Sequence, residues 1–310
     1  MRRENFQIIS QIDQLPLDVC TLEPETEPAA VVQICHGMCE YKERYLPFME
    51  YLAGQGFASL IHDHRGHGAS VYSQEDLGYF YGGGAEALVE DAHQFTRYIR
   101  TRWPGKPVIL LGHSMGSLVV RAYAKRYDGD IDALLVVGSP SKNPLVDLGI
   151  LLAKLQRRFR GDHSRGKLLE SLSFGGFARK FPGEGKDAWV CSNREILASY
   201  QESPLCGFTF TVDGYLGLFG LMKEVYSRKG WSCCKPELPV LFLGGAKDPC
   251  IGGPRKYAQA VKQMRRAGYR NVRAKLYPGM RHEILNETDK MSVYEDILKY
   301  IQLLEKKHYL

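Results

Sequence analysis

Nowhere in the chain do apolar residues run on for the ~20 positions that a membrane-spanning helix requires. The N-terminus, Met1-Arg2-Arg3, is basic, but the polar stretch ENFQIIS follows where a secretory leader would carry an apolar core, so no leader is expected. No CxxC pair occurs among the eight cysteines, Cys20, Cys35, Cys39, Cys191, Cys206, Cys233, Cys234 and Cys250. Several of them sit inside apolar, strand-like runs, which reads as reduced, buried thiols of a cytoplasmic protein. Neither a disulfide framework nor a zinc site is expected. Repeats and low-complexity tracts are missing as well, so the chain is no repeat array. A strong charge of one sign is also lacking: the formal charge is +6 over 310 residues. That permits attraction to anionic surfaces and does not point to nucleic acid. What remains is an ordinary globular composition, 44% hydrophobic and 25% charged, with enough apolar surface for a full core.

Short β-branched or Leu-rich runs alternate with longer helical patterns, which predicts a mostly parallel sheet covered by helices. Strands are expected near Gln7–Ser10, Leu17–Leu22, Ala30–Cys35, Ala58–His62, Val108–Leu111, Ala133–Val137, Val240–Gly244 and Arg273–Tyr277. Helical patterns fall near Arg44–Ala53, Gly84–Arg102, Met115–Arg126, Pro254–Arg266 and Lys290–Lys306. Between about Ser139 and Pro236 the alternation breaks, in a stretch too long for a loop. The expected organisation is therefore a core made of residues 1–139 and 237–310, with 140–236 inserted as a helical lid.

The stretch VILLGHSMGSLVVRAYA places Gly112, Ser114 and Gly116 as G-x-S-x-G between an apolar strand and a helix. A sharp strand-to-helix turn crowds the backbone, so the residues two before and two after the serine must be small. The turn lifts the serine oxygen to a helix N-terminus, where amide donors favour developing negative charge. A nucleophilic serine needs a base, and the base an orienting acid. LYPGMRHEILNE sets His282 just past one predicted strand, and VLFLGGAKDPCI sets Asp248 just past another. Both stand at C-terminal strand ends, where open α/β sheets bind ligands. His36-Gly37-Met38 follows a strand directly, as a donor loop should, so the amides of Met38 and Met115 are assigned to an oxyanion hole. His36 and His113 read as structural hydrogen-bonders. HDHRGHGAS, with three histidines, two glycines and an arginine, reads as a tight structural loop and not as a metal site.

Together HGMCEYKERY, HDHRGHGAS, GHSMGS, GGAKDPC and YPGMRHEILNE resemble the monoacylglycerol lipase/lysophospholipase branch of the α/β-hydrolase superfamily. The order Ser114, Asp248, His282 is that of α/β-hydrolases. The resemblance implies an eight-stranded α/β-hydrolase fold with an inserted cap, and a serine esterase without metal or other cofactor. It places the nucleophile at Ser114, the acid at Asp248 and the base at His282, with Met38 and Met115 as amide donors. The stretch Tyr200–Thr211 looks like a recurring element of bacterial relatives, whereas Tyr41 departs from the small or histidine residue many of them carry. The expected partner is a small lipid-like ester, monoacylglycerol or lysophospholipid, and no nucleic acid. In the insertion, basic Lys154–Lys167 beside apolar LGILLA suggests transient contact with an anionic membrane surface. Gly207–Met222, rich in Phe, Leu and Met, suggests an acyl-chain tunnel or plain lid core. Amide- or peptide-cleaving and cofactor-free peroxidase chemistries share such a triad, and a non-catalytic binding module on the same fold is the remaining alternative.

Overall fold

In the computed structural model, which describes residues 1–306, the short apolar runs become one eight-stranded sheet. Its strands are β1 (Arg2–Ile9), β2 (Pro16–Glu23), β3 (Val31–Cys35), β4 (Ala58–His62), β5 (Val108–His113), β6 (Ala133–Val137), β7 (Val240–Gly245) and β8 (Val272–Tyr277). They lie in the order β1-β2-β4-β3-β5-β6-β7-β8. The β1–β2 and β2–β4 pairs are antiparallel, and every pair from β4–β3 onward is parallel. The central strands are buried on both faces, which is why they read as unbroken apolar runs without alternation.

Helices α1 (Leu46–Gly54), α2 (Gly84–Arg102) and α3 (Met115–Tyr127) follow β3, β4 and β5. Four more, α4 (Val146–Arg160), α5 (Lys167–Phe174), α6 (Arg194–Glu202) and α7 (Val212–Tyr226), lie between β6 and β7. Helices α8 (Pro254–Ala267) and α9 (Lys290–Lys306) close the chain. Alternate residues of the strands divide the interior. Val31, Val108, Leu110, Leu134, Val136 and Phe242 pack with α2, α3 and α8. Val32, Ile34, Ile109, Leu111, Leu135 and Leu243 pack with α1 and α9. Each such side chain, fully buried, contributes ~1.5–3 kcal/mol relative to exposure.

Two boundaries differ from the sequence reading for identifiable reasons. Strand β1 begins at Arg2, not Gln7, because its antiparallel register with β2 runs from Arg2–Glu23 to Ile9–Pro16. Its charged start, Arg2-Arg3-Glu4, suits an edge strand, where one face stays in water. Helix α1 begins at Leu46, since Pro47 is tolerated only in the first turn, and the residues before it form a short 3-10 turn, Lys42–Tyr45. The basic stretch Lys154–Lys167 is divided between elements. It covers the end of α4, a turn opened by Gly161 at φ 78°, and the first residue of α5.

Candidate active site

The strand order determines which loops can meet. β3 lies beside β5, so the loop after β3 borders the β5–α3 turn, while β7 and β8 carry their own loops along the same sheet edge. At that turn Ser114 has φ 52°, the left-handed region that a non-glycine residue enters only under strong local constraint. The constraint is steric: a Cβ on Gly112 would stand 2.2 Å from the Gly116 carbonyl oxygen, and one on Gly116 2.0 Å from that of Cys35. No side chain fits at either position, so the serine is held at the tip of the turn.

His282, five residues past β8, accepts the Ser114 hydroxyl at Nε2 over 2.8 Å. Its Nδ1–H donates to Asp248 Oδ2 at 2.8 Å, and Asp248 Oδ1 accepts from the Cys250 amide at 2.7 Å. Asp248 and His282 are buried, while Ser114 is half-buried and open to a cavity of about 480 Å³. Gly37, Met38 and Met115 border the same cavity. Gly112 and Gly116 lie beneath the turn. All the residues singled out in the sequence thus converge at one end of the sheet.

His36 and His113 are buried and hydrogen-bonded. His36 lies 2.8 Å from the Gly37 carbonyl through Nδ1 and accepts the His64 amide at Nε2. The HDHRGHGAS segment is buried as well: Arg65 pairs with Asp91 and Asp13, and Asp63 accepts the amides of Lys42 and Ala69. Asp248, Cys250 and His282 bring three possible metal-ligand atoms within 4.8 Å of one another. They fit a metal poorly, because burial and the neighbouring Asp248 carboxylate push the Cys250 thiol well above its ordinary pKa, and a neutral thiol is a poor ligand.

A charged network under the site was not anticipated from the sequence. Glu40 accepts the Gly37 amide at 2.5 Å, the Tyr45 hydroxyl at 2.9 Å and Arg44 Nη1 at 2.8 Å, and lies 3.1 Å from His113 Nδ1. Arg44 also forks onto Glu283, the residue after His282, with two bonds of 2.6 Å. Burial alone would raise the Glu40 pKa, yet His113 and Arg44 outweigh it and hold the carboxyl well below the carboxylate range. His113 moves up in turn: burial opposes its charge, and the Glu40 carboxylate overcomes that. The only trace of this network in the sequence is the Glu40–Arg44 spacing in CEYKERY, a common helical ion-pair interval.

The inserted residues complete the surroundings. The His282 and Glu283 amides donate to the Trp189 and Val190 carbonyls at 3.3 and 2.8 Å, and the Trp189 ring lies 5.1 Å from the imidazole. Phe208, Leu218, Phe219 and Met222 line the cavity, whereas Phe210 and Tyr215 of the same stretch are fully buried core. The expected tunnel-or-core segment is therefore divided between both roles.

Residues 26–289 match the family model described as serine aminopeptidase, S33. The chain belongs to the serine aminopeptidase S33 family. The monoacylglycerol lipase of Mycolicibacterium smegmatis is 29% identical over 90% of this chain and 90% of its own. The monoglyceride lipase of Mus musculus is 31% identical over 87% of this chain and 80% of its own. A thermostable carboxyl esterase from Bacillus coagulans, solved in complex with glycerol, superposes with a TM-score of 0.89 at 24% identity, over 97% of this chain and 98% of its own. The fold is that of the α/β-hydrolases, and this S33 chain is a serine hydrolase.

Proposed function

We propose that the protein is a carboxylic ester hydrolase acting on lipid-like monoesters, monoacylglycerols or lysophospholipids, with Ser114 as nucleophile. The observation that carries this reading is the hydrogen-bonded chain Ser114–His282–Asp248, with both links at 2.8 Å, opening into a largely apolar cavity of about 480 Å³. Ser114 attacks the ester carbonyl as His282 Nε2 takes its proton. The imidazolium then returns that proton to the leaving alcohol, and the acyl group remains on Ser114. A water deprotonated by the same histidine hydrolyses the acyl-enzyme, while Asp248 holds the imidazole tautomer. The amides of Met38 and Met115 receive the developing oxyanion, a role for which each donor typically contributes 10²–10³-fold in rate. The lipase relatives in Mycolicibacterium smegmatis and mouse support the choice of ester over amide and of lipid over small polar substrate.

Residues 140–236 act in this reading as a cap on a core of 1–139 and 237–310, and the cap meets lipid. On α4, Leu148, Leu151, Leu155 and Phe159 recur along one face and are exposed, Leu151 at 62% and Phe159 at 78%. Lys154, Arg158 and Arg160 flank them, and Leu168 and Leu172 of α5 are exposed too. An apolar face with basic flanks suits an anionic bilayer surface.

The test is labelling of the protein and of Ser114→Ala with a fluorophosphonate probe, alongside assays on 1-monoacylglycerol, lysophosphatidylcholine and a panel of peptide amides. Labelling of the parent alone, with monoester turnover and intact amides, is expected. Labelling without ester turnover would overturn the substrate assignment, and no labelling the mechanism itself.

A further inference from the structure

The cavity lining combines two chemistries. Apolar side chains such as Phe174, Phe208, Phe219 and Met222 supply much of it, and Lys142, Lys186 and Lys256 stand at its edge. None of these three lysines takes part in an ion pair or side-chain hydrogen bond among the described residues. The lining carboxylates, by contrast, are engaged. Glu40 and Glu283 are held by Arg44, Glu170 accepts the Thr209 hydroxyl at 2.6 Å, and Asp187 accepts Gln201 Nε2 at 3.2 Å. Glu170 and Asp187, bonded by neutral donors, keep their charge on the inserted residues, whereas Lys142 and Lys256 stand on the loops that leave β6 and β7.

Two of the lysines are brought together by the loops that leave β6 and β7. The Ser141 amide donates to the Cys250 carbonyl at 3.1 Å, joining the two loops two residues past Asp248. Ser141 Oγ and Lys256 Cδ both lie within 2.7 Å of where a Cβ would stand on Gly252. Lys142 follows Ser141 in the chain, and Asn143 also lines the cavity. The Ser141 hydroxyl and the Lys256 side chain therefore stand together at Gly252, with Lys142 and Asn143 next in the chain and on the same cavity lining.

We propose that this corner, Ser141–Asn143 with Lys256, binds the phosphate of a lipid headgroup, so that the preferred substrates are phosphate-bearing monoacyl lipids. Within the ester-hydrolase reading above, on which this inference rests, the acyl chain takes the apolar part of the cavity and the leaving alcohol carries its phosphate to the lysines. Ammonium groups are point-charge donors suited to phosphate, and at a partly exposed mouth they contribute through charge and not through shape.

The experiment compares octanoyl lysophosphatidic acid with 1-octanoylglycerol, which share an acyl chain and differ in the phosphate. The parent protein is set against Lys142→Gln/Lys256→Gln and Lys256→Glu, with thermal melting as a check on folding. The parent is expected to show the higher kcat/KM on the phosphate ester. The double substitution is expected to lower the ratio of the two kcat/KM values about tenfold, the scale of two exposed charge contacts. Charge reversal at Lys256 should lower the ratio similarly, and added salt should erode it in the parent. A ratio that does not respond to the substitutions, or a loss shared equally by both esters, overturns the headgroup assignment while leaving the hydrolase intact. If neither ester turns over and the serine does not label, the ester-hydrolase reading falls and this inference with it.

Discussion

Glu40 is a carboxylate with 2% of its surface exposed, three residues beyond the glycine whose amide it accepts. Its partners come from three places: Gly37 in the loop after β3, Arg44 and Tyr45 in the turn before α1, and His113 next to Ser114. Arg44 carries the linkage on to Glu283, beside His282. A single side chain therefore ties the loop of Met38 to the Ser114 turn. Glu40→Gln keeps the size and one acceptor but removes the charge that faces Arg44 and His113, leaving buried donors poorly matched. We expect kcat to fall ten- to a hundredfold with KM little changed, and fluorophosphonate labelling to slow in step, as befits a positioning residue. Equal labelling rates for parent and variant would mean that Glu40 serves stability alone. Such a residue is hard to read from sequence, because a lone glutamate in a polar turn is normally solvated. Only the approach of β3 to β5 buries it.

At the scale of elements, α3 and α4 show opposite uses of apolar residues. Every residue of α3 from Met115 to Lys125 is buried, since α3 packs between the sheet, α2 and α7. This explains the uninterrupted SMGSLVVRAYA without any appeal to function. Helix α4 buries only Ala153 completely and leaves Leu148, Leu151, Leu155 and Phe159 in solvent, although its contacts with α7 are extensive. Exposed apolar faces of this kind have a partner in most proteins. Leu151→Glu with Phe159→Glu should weaken binding to phosphatidylglycerol vesicles at least tenfold in flotation assays, and depress turnover of vesicle-borne ester far more than that of a water-soluble ester. Undiminished vesicle binding would remove α4 from the contact surface. The amphipathic pattern was legible in LGILLAKLQRRFR, but the sequence could not say which face the fold would leave bare.

For the molecule as a whole, the distribution of buried histidines sets the response to acid. Burial holds His36, His62 and His64 well below the ordinary histidine pKa, and brings His67 down to about 4. Below pH 6.5 the unfolded chain therefore binds more protons at these sites than the folded one, and stability falls as pH drops. Glu40, shifted down, adds to the loss once pH falls through the glutamate range. Asp63 opposes it: burial raises its pKa to about 6, so its proton favours the fold between about 3.8 and 6. His113, shifted up, contributes stability that is complete below 6.5 and is lost only as pH rises through its folded pKa. Burial raises the Asp91, Asp213 and Glu305 carboxyls as well, so they act with Asp63, and the histidines dominate the upper part of the range, where the unfolded imidazoles take up their protons first. Melting temperature should decline steadily from pH 6.5 to 4.5, with a slope of more than one proton taken up on unfolding. A flat profile over that range would contradict the burial of these rings.

What the sequence determined by itself was whatever depends on neighbours in the chain. The glycines around Ser114 are dictated by backbone crowding within five residues. The unbroken apolar runs mark strands buried on both faces, and helices α2 and α9 are legible to their ends because periodicity and breakers are local signals. The order Ser114, Asp248, His282 and their positions past strand ends were legible for the same reason. Tertiary structure alone decided how residues 40, 44, 113 and 283 combine, which part of Gly207–Met222 lines the cavity and which part fills the core, and which lysines stand at the cavity edge. These outcomes depend on strand order and on loops far apart in sequence meeting across the sheet edge. Desolvation and charge pairing act on distance in space, so no pattern along the chain encodes them.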